Sequence, residues 1–161
     1  MNEKQRTLKR SVELSGVGLH TGEPVRLILC PAPANHGYKF QRIDLDGQPV
    51  IDADADRVVS TERGTTLEQN GAKVHTTEHA LAAPYALQVD NCLIHLTGPE
   101  LPILDGTLPY VEAIESVGHE AQDAERDYFI LKEPIWFETR NAVPKCWACQ
   151  HSGGEFHLTV M

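Results

Sequence analysis

The stretch Thr65-Thr66-Leu67-Glu68-Gln69-Asn70-Gly71-Ala72-Lys73-Val74-His75-Thr76-Thr77-Glu78-His79-Ala80-Leu81-Ala82-Ala83 holds two kinds of structure. Its first half flanks Asn70-Gly71, a dipeptide that enters left-handed turns readily and is the strongest short signal for a β-hairpin. In its second half, the hydroxyl of Thr76 or Thr77 can accept an orphan amide of a first helical turn, and the apolar Ala80 to Leu87 supplies the helix. Pro84 would cost about 3 kcal/mol inside a helix, which predicts a short or bent one. A hairpin that runs straight into a helix points to an α+β fold.

Working outward supports that class. Towards the N-terminus, Thr7 to Leu14 and Val25 to Cys30 read as strands joined by a glycine-rich loop at Ser15–Gly22. Pro31-Ala32-Pro33-Ala34-Asn35 interrupts pairing because proline lacks the backbone donor. Tyr38 to Ile43 resumes a strand, and a polar, Asp-rich connection reaches about Ser60. Towards the C-terminus, Asn91 to Thr97 reads as a buried strand and Gly98-Pro99-Glu100-Leu101-Pro102 as a turn. Pro109 suits a first helical turn, with Leu108, Val111, Ile114 and Val117 along one stripe, and Tyr128 to Glu138 reads as a strand interrupted by Pro134. The predicted architecture is a two-layer sandwich, a mostly antiparallel sheet with two helices on one face.

Composition narrows the function classes. The 161 residues carry 14 basic against 23 acidic side chains, a net charge of −9, which argues against a general nucleic-acid binder. The cluster Lys4, Arg6, Lys9, Arg10 reads as a solvated strand face. No stretch approaches the length of a membrane span, and the N-terminus lacks the apolar core of a signal peptide, so a cytoplasmic location is expected. Four scattered cysteines, Cys30, Cys92, Cys146 and Cys149, suit reduced thiols rather than a disulfide scaffold.

Several groups could carry chemistry. Glu78 and His79 stand side by side at an element boundary, where an imidazole can bind zinc and a carboxylate can take a proton from water. His75-Thr76-Thr77-Glu78-His79 also spells H-x-x-E-H, the inverted zinc-protease signature. That signature needs both histidines one turn apart on one helix, whereas here His75 ends a strand and the threonines intervene. Cys146, Cys149, His151 and His157 offer thiols and imidazoles at zinc-like spacing, an alternative small zinc-binding module. His20 sits in a loop flanked by Gly18 and Gly22, where the backbone can approach a ligand closely. Asp105 precedes a helix, where it can cap or orient a histidine.

Lys4-Gln5-Arg6-Thr7-Leu8-Lys9, Gly16-Val17-Gly18-Leu19-His20-Thr21-Gly22, Pro31 to Asn35, Thr76-Thr77-Glu78-His79, Val89-Asp90-Asn91 and Pro99 to Gly106 together resemble the bacterial UDP-3-O-acyl-N-acetylglucosamine deacetylases, zinc amidases of lipid A synthesis. The lettering is most similar to the Bacteroidetes form, often fused to a 3-hydroxyacyl-carrier-protein dehydratase. The resemblance implies a UDP-acyl-glucosamine substrate, Zn2+ as cofactor, His79 as a zinc ligand, Glu78 as general base, and supporting roles for His20 and Asp105. It further implies two similar lobes, with residues 1–126 as the first and 127–161 as the start of the second. The remaining ligands, an H-x-x-x-D pair, together with a late histidine and a threonine, belong to that second lobe and have no counterpart in this chain. The polypeptide alone is therefore expected to bind zinc weakly and to be inactive, the alternatives being a non-catalytic remnant or the small zinc-binding module of Cys146 and Cys149. Residues 141–154 depart from the family pattern, as a frame change or a natural divergence would make them do. Leu158-Thr159-Val160-Met161 would present an unpaired strand edge prone to self-association.

Overall fold

The computed structural model of the chain describes residues 3–138 and 145–148. The chain divides into two compact units, Met1–Arg126 and Asp127–Met161. In the first, β1 (Lys4–Leu8), β2 (Val12–Gly18), β3 (Pro24–Pro31), β4 (Tyr38–Arg42), β5 (Val50–Asp52), β6 (Val58–Ser60), β7 (Thr66–Gln69) and β8 (Ala72–Val74) precede α1 (Glu78–Ala86). Then come β9 (Cys92–Leu96), β10 (Pro102–Ile103), α2 (Leu108–Val117) and β11 (His119–Glu125).

The central sheet has the order β10-β2-β3-β9-β4-β5, antiparallel except where β4 runs parallel to β9. Alternation explains its burial: Val25, Leu27 and Leu29 of β3 and Cys92, Ile94 and Leu96 of β9 point inward, and the residues between them do not. The inward face shares one core with Ala80 and Ala83 of α1 and Tyr110 and Ile114 of α2. The helices touch each other, and α2 also reaches β2. This is the expected α+β arrangement of mostly antiparallel strands with two helices. No helix among the described residues is long and apolar enough to cross a membrane.

The structure corrects several sequence expectations. The first strand is two: the chain turns at Lys9–Ser11, so that β1 pairs with β11 while β2 pairs with β3. Gly16 and Gly18 belong to β2 rather than to a loop, and they serve close packing. A Cβ on Gly18 would lie 2.4 Å from Glu100 Oε2, and one on Gly16 would lie 3.0 Å from the Pro102 Cβ. The Asp-rich connection contains β5, a short 3-10 turn and β6, with β6, β7 and β8 making a separate three-stranded sheet. Residues 98–102 are not all turn, since β10 starts at Pro102. The stripe on α2 is shifted: Tyr110 and Ile114 are its buried residues, whereas Leu108 is 64% exposed.

The Asn70-Gly71 hairpin forms as predicted, with φ of 54° and 75° at the two turn residues. The helix after it is short, nine residues with Pro84 inside. Thr77 holds the capping position without a side-chain cap; its hydroxyl donates to the Thr65 carbonyl instead, 3.4 Å away. Thr107, not Asp105, caps α2, and it too makes no side-chain cap bond.

In the second unit, β12 (Ile135–Glu138) pairs antiparallel with β13 (Lys145–Ala148), placing Trp136 opposite Trp147 and Phe137 opposite Cys146. The predicted strand from Tyr128 is thus confined to its end. Cys149, His151, His157 and Leu158–Met161, and most of 141–154, lie outside the described residues.

Candidate functional site

The sequence places Glu78 and His79 on the first turn of α1, and the fold builds a cleft beside them. The chain leaves β8 through His75, turns at Thr76 with φ of 59°, and enters α1. That left-handed turn separates the two histidines of the H-x-x-E-H string. His75 is held strand-like, its N–H donating to the Pro99 carbonyl at 2.8 Å and its carbonyl accepting from Leu101 at 3.1 Å. Its Nδ1 lies 3.0 Å from the Thr66 hydroxyl. Burial pushes the His75 imidazole below its ordinary pKa, opposed by the nearby Glu100 charge. The protease geometry, two imidazoles one turn apart on one helix, is absent.

Glu78 is exposed and His79 half-buried. The Glu78 carboxylate accepts the Thr65 N–H, which aims one oxygen at the loop preceding β7. A carboxylate in the first turn also faces the positive end of the helix dipole. Gly64 is required there by its backbone, at φ of 140°, rather than by space: a Cβ would lie in ordinary contact, 3.5 Å from Glu78 Oε1 and 3.4 Å from Thr76 Oγ1.

Next to this contact lies a cleft of about 190 Å³ lined by His20, Thr21, Glu62, Arg63, Gly64, Thr66, His75, Thr76 and Glu100. His20 projects from the turn after β2, and its Nε2 lies 3.0 Å from the Arg63 carbonyl. Because a carbonyl only accepts, Nε2 carries the proton and Nδ1 is left as the second ring nitrogen. Asp105 does not line the cleft. It is exposed, in a left-handed turn with φ of 58°.

The residue that sequence reading missed is Glu100. It is 2% exposed, yet four donors reach it: the His20 N–H at 3.0 and 3.1 Å to its two oxygens, the Thr21 N–H and hydroxyl each at 2.9 Å, and the Thr76 hydroxyl at 3.2 Å. Burial alone would raise its pKa. The donors outweigh it, and the carboxyl is held below its ordinary value, so Glu100 is an anion at neutral pH. The signal in the sequence was a charge set between apolar and proline neighbours in Pro99-Glu100-Leu101-Pro102.

Among the described residues no three His, Cys, Asp or Glu side chains converge into a metal-binding group. A catalytic zinc takes about three protein ligands, and the Glu78–His79 pair offers one imidazole. The described residues therefore do not make up a zinc site.

Comparison with known sequences gives the arrangement a family. The profile described as LpxC, UDP-3-O-acyl N-acetylglycosamine deacetylase, matches residues 5–160. The bifunctional enzyme LpxC/FabZ of Bacteroides thetaiotaomicron is 59% identical over 135 residues, covering 83% of this chain and 29% of that protein. The bifunctional enzyme LpxC/FabZ of Chlorobaculum tepidum is 46% identical over 158 residues, 98% of this chain and 33% of its own length. The UDP-3-O-acyl-N-acetylglucosamine deacetylase of Thermosynechococcus vestitus is 52% identical over 132 residues, 81% of this chain and 46% of its own length. The chain thus spans less than half the length of each of these relatives, and with a match running from residue 5 to residue 160 it belongs to the UDP-3-O-acyl N-acetylglycosamine deacetylase family.

Proposed function

We propose that this chain forms the first lobe of a cytoplasmic deacetylase that hydrolyses the acetamide of a UDP-3-O-acyl-N-acetylglucosamine in lipid A biosynthesis, releasing acetate and a free amine. The domain division follows: residues 1–126 are that lobe and residues 127–161 begin the second. The observation that carries the reading is the Glu78 carboxylate, fixed by the Thr65 N–H beside the cleft in a chain of this family.

Hydrolysis of an amide needs a water made nucleophilic by loss of a proton and a leaving nitrogen that gains one. Glu78 takes the proton of the attacking water and, once the C–N bond breaks, can deliver it to the amine. Its exposure leaves its second oxygen open to that water. His79 would supply one ligand of a zinc ion, which would polarise the acetamide carbonyl; a catalytic zinc takes about three protein ligands, so this imidazole alone would not complete the site. His20 supports the reaction from across the cleft; Asp105, exposed and away from it, acts at most on the shape of the turn before α2.

Acetate release from the UDP-sugar tests the reading. We expect none from the 161-residue chain alone, and turnover when residues 1–126 replace the equivalent part of the Bacteroides relative. Glu78→Gln in that chimera should lower kcat by roughly 10²–10⁴-fold. Full activity of the Glu78→Gln chimera would remove Glu78 from the chemistry. Turnover by the isolated chain would show that it needs no further ligands.

A further inference from the structure

The hydrogen bonds around the cleft close into a ring. From Glu100 the path runs to the His20 N–H, through the His20 ring to the Arg63 carbonyl at 3.0 Å, and along the chain to Thr65. The Thr65 N–H reaches Glu78, and its carbonyl accepts the Thr77 N–H at 3.4 Å. Two residues before Glu78, the Thr76 hydroxyl returns to Glu100 at 3.2 Å. The His20 and Glu78 links tie the turn after β2, the loop before β7 and the first turn of α1 together, while the Thr76 link reinforces the β-bridge that already joins His75 to Glu100.

We propose that Glu100 is a positioning residue for the Glu78 carboxylate, holding it across the cleft through both arms of this ring. The inference rests on the reading of Glu78 as the reactive base. Glu100 does not touch the reacting atoms; it acts through His20 and Thr76. Three features mark it as more than a solvated turn carboxylate. It is 2% exposed, so its donors cannot be replaced by bulk water. It accepts from both sides of the cleft at once. Gly18 clears the space it occupies, since any Cβ there would meet its Oε2 at 2.4 Å. A carboxylate suits the position because every partner is a donor. The glutamine amide would turn an N–H towards the His20 or Thr21 backbone N–H, donors that cannot reverse, and so weaken that arm, although the Thr76 hydroxyl can turn to accept.

Amide hydrogen exchange on the 161-residue chain reads this directly at Thr65, whose N–H bonds Glu78 and makes no contact with Glu100. In Glu100→Gln we expect the Thr65 amide to exchange about tenfold faster than in the parent, with the core amides of β3 and β9 unchanged within about twofold. His20→Ala, an exposed position outside the core, opens one arm only and should accelerate Thr65 by about threefold. Should Glu100→Gln fail to fold, His20→Ala decides alone. Unchanged Thr65 exchange in the folded variants overturns the proposal. So does acceleration spread equally over β3 and β9, which would make Glu100 a general stabiliser. Turnover of the Glu78→Gln chimera does not enter this measurement, so loss of the deacetylase reading and loss of the ring are told apart.

Discussion

Gly18→Ala should be among the most damaging single-methyl additions in the chain. The new Cβ would stand 2.3 Å from Thr21 Oγ1 and 2.4 Å from Glu100 Oε2, where real contacts are not found. Thr21 is exposed and its hydroxyl can rotate away. Glu100 cannot yield as cheaply, because it is buried and held by donors from His20, Thr21 and Thr76. Overpacking of a closed site costs about 1–3 kcal/mol. Displacing the carboxylate also weakens one or two hydrogen bonds to a charged group, at about 1.5–3 kcal/mol each if lost outright. A loss of about 2–5 kcal/mol follows, a large share of the about 5–15 kcal/mol that stabilises a typical domain. Urea unfolding followed by far-ultraviolet circular dichroism measures it. The cause is isolated by a double-mutant cycle, since Glu100→Ala removes the atom that is struck. In that background Gly18→Ala should cost at least about 1 kcal/mol less. Additive losses, or a single-mutant loss below about 0.5 kcal/mol, would refute the reasoning, because the clash and the clamp share one carboxylate.

Three further outcomes follow from the structure. Asn91 is 1% exposed and its Nδ2 donates to Gln5 Oε1 at 2.9 Å and Gln122 Oε1 at 2.8 Å, so Asn91→Asp would face two acceptors with an anion. A destabilisation of about 3–5 kcal/mol in urea is expected, and one below about 1 kcal/mol would contradict the assigned amide orientations. Arg42 grips Asp44 with Nε at 2.8 Å and Nη2 at 2.7 Å, and this contact, against a smaller effect of burial, holds the Asp44 carboxyl below its ordinary value. A lowered folded-state pKa stabilises the fold above the unfolded-state value and is lost as pH falls from about 4 through the folded-state value. Asp44→Asn should therefore cost about 1–2 kcal/mol at pH 7 and progressively less below pH 4, and a pH-independent difference would be evidence against the ion pair. Finally, burial pushes the Cys92 thiol up to about 12, whereas Cys30 is half-buried. Iodoacetamide labelling of the native chain at pH 8, read by peptide mass spectrometry, should modify Cys30 well before Cys92; equal rates would mean that the core opens at β9.

How much of this was legible depends on where each element gets its stability. The Asn70-Gly71 turn was readable because the residues themselves favour its backbone angles, and β9 because its apolar run reflects burial. β11 was not readable: His119-Glu120-Ala121-Gln122-Asp123-Ala124-Glu125 has no apolar run, and the strand exists by pairing with β1 from the other end of the unit. The same divide runs through the site. Glu78 and His79 are adjacent in the chain, so their partnership could be read directly. Glu100 looked like a turn residue because its donors lie up to 80 positions away, and its burial is a product of the fold. Gly18 reads in the sequence as a loop glycine that lets the backbone approach a ligand, whereas its missing side chain makes room for that same carboxylate.

The pairing of β1 with β11 also sets a timetable. Leu8 is opposite His119 and Lys4 opposite Glu125, so apart from the single Thr7–Asn91 bridge the first strand has no ladder until nearly the whole unit has been synthesised. At about 5–20 residues per second, the interval between Leu8 and His119 lasts roughly 6–22 s. During it β1 is held through Arg6 and Thr7 to Asp90 and Asn91, and the edge that β11 will cover stays open. The central sheet can collect β2, β3, β4 and β9 earlier, which leaves the strand that opens the chain as the last to be sealed. An unfinished unit is therefore most open to pairing with another chain along the β11-facing edge of Lys4–Leu8.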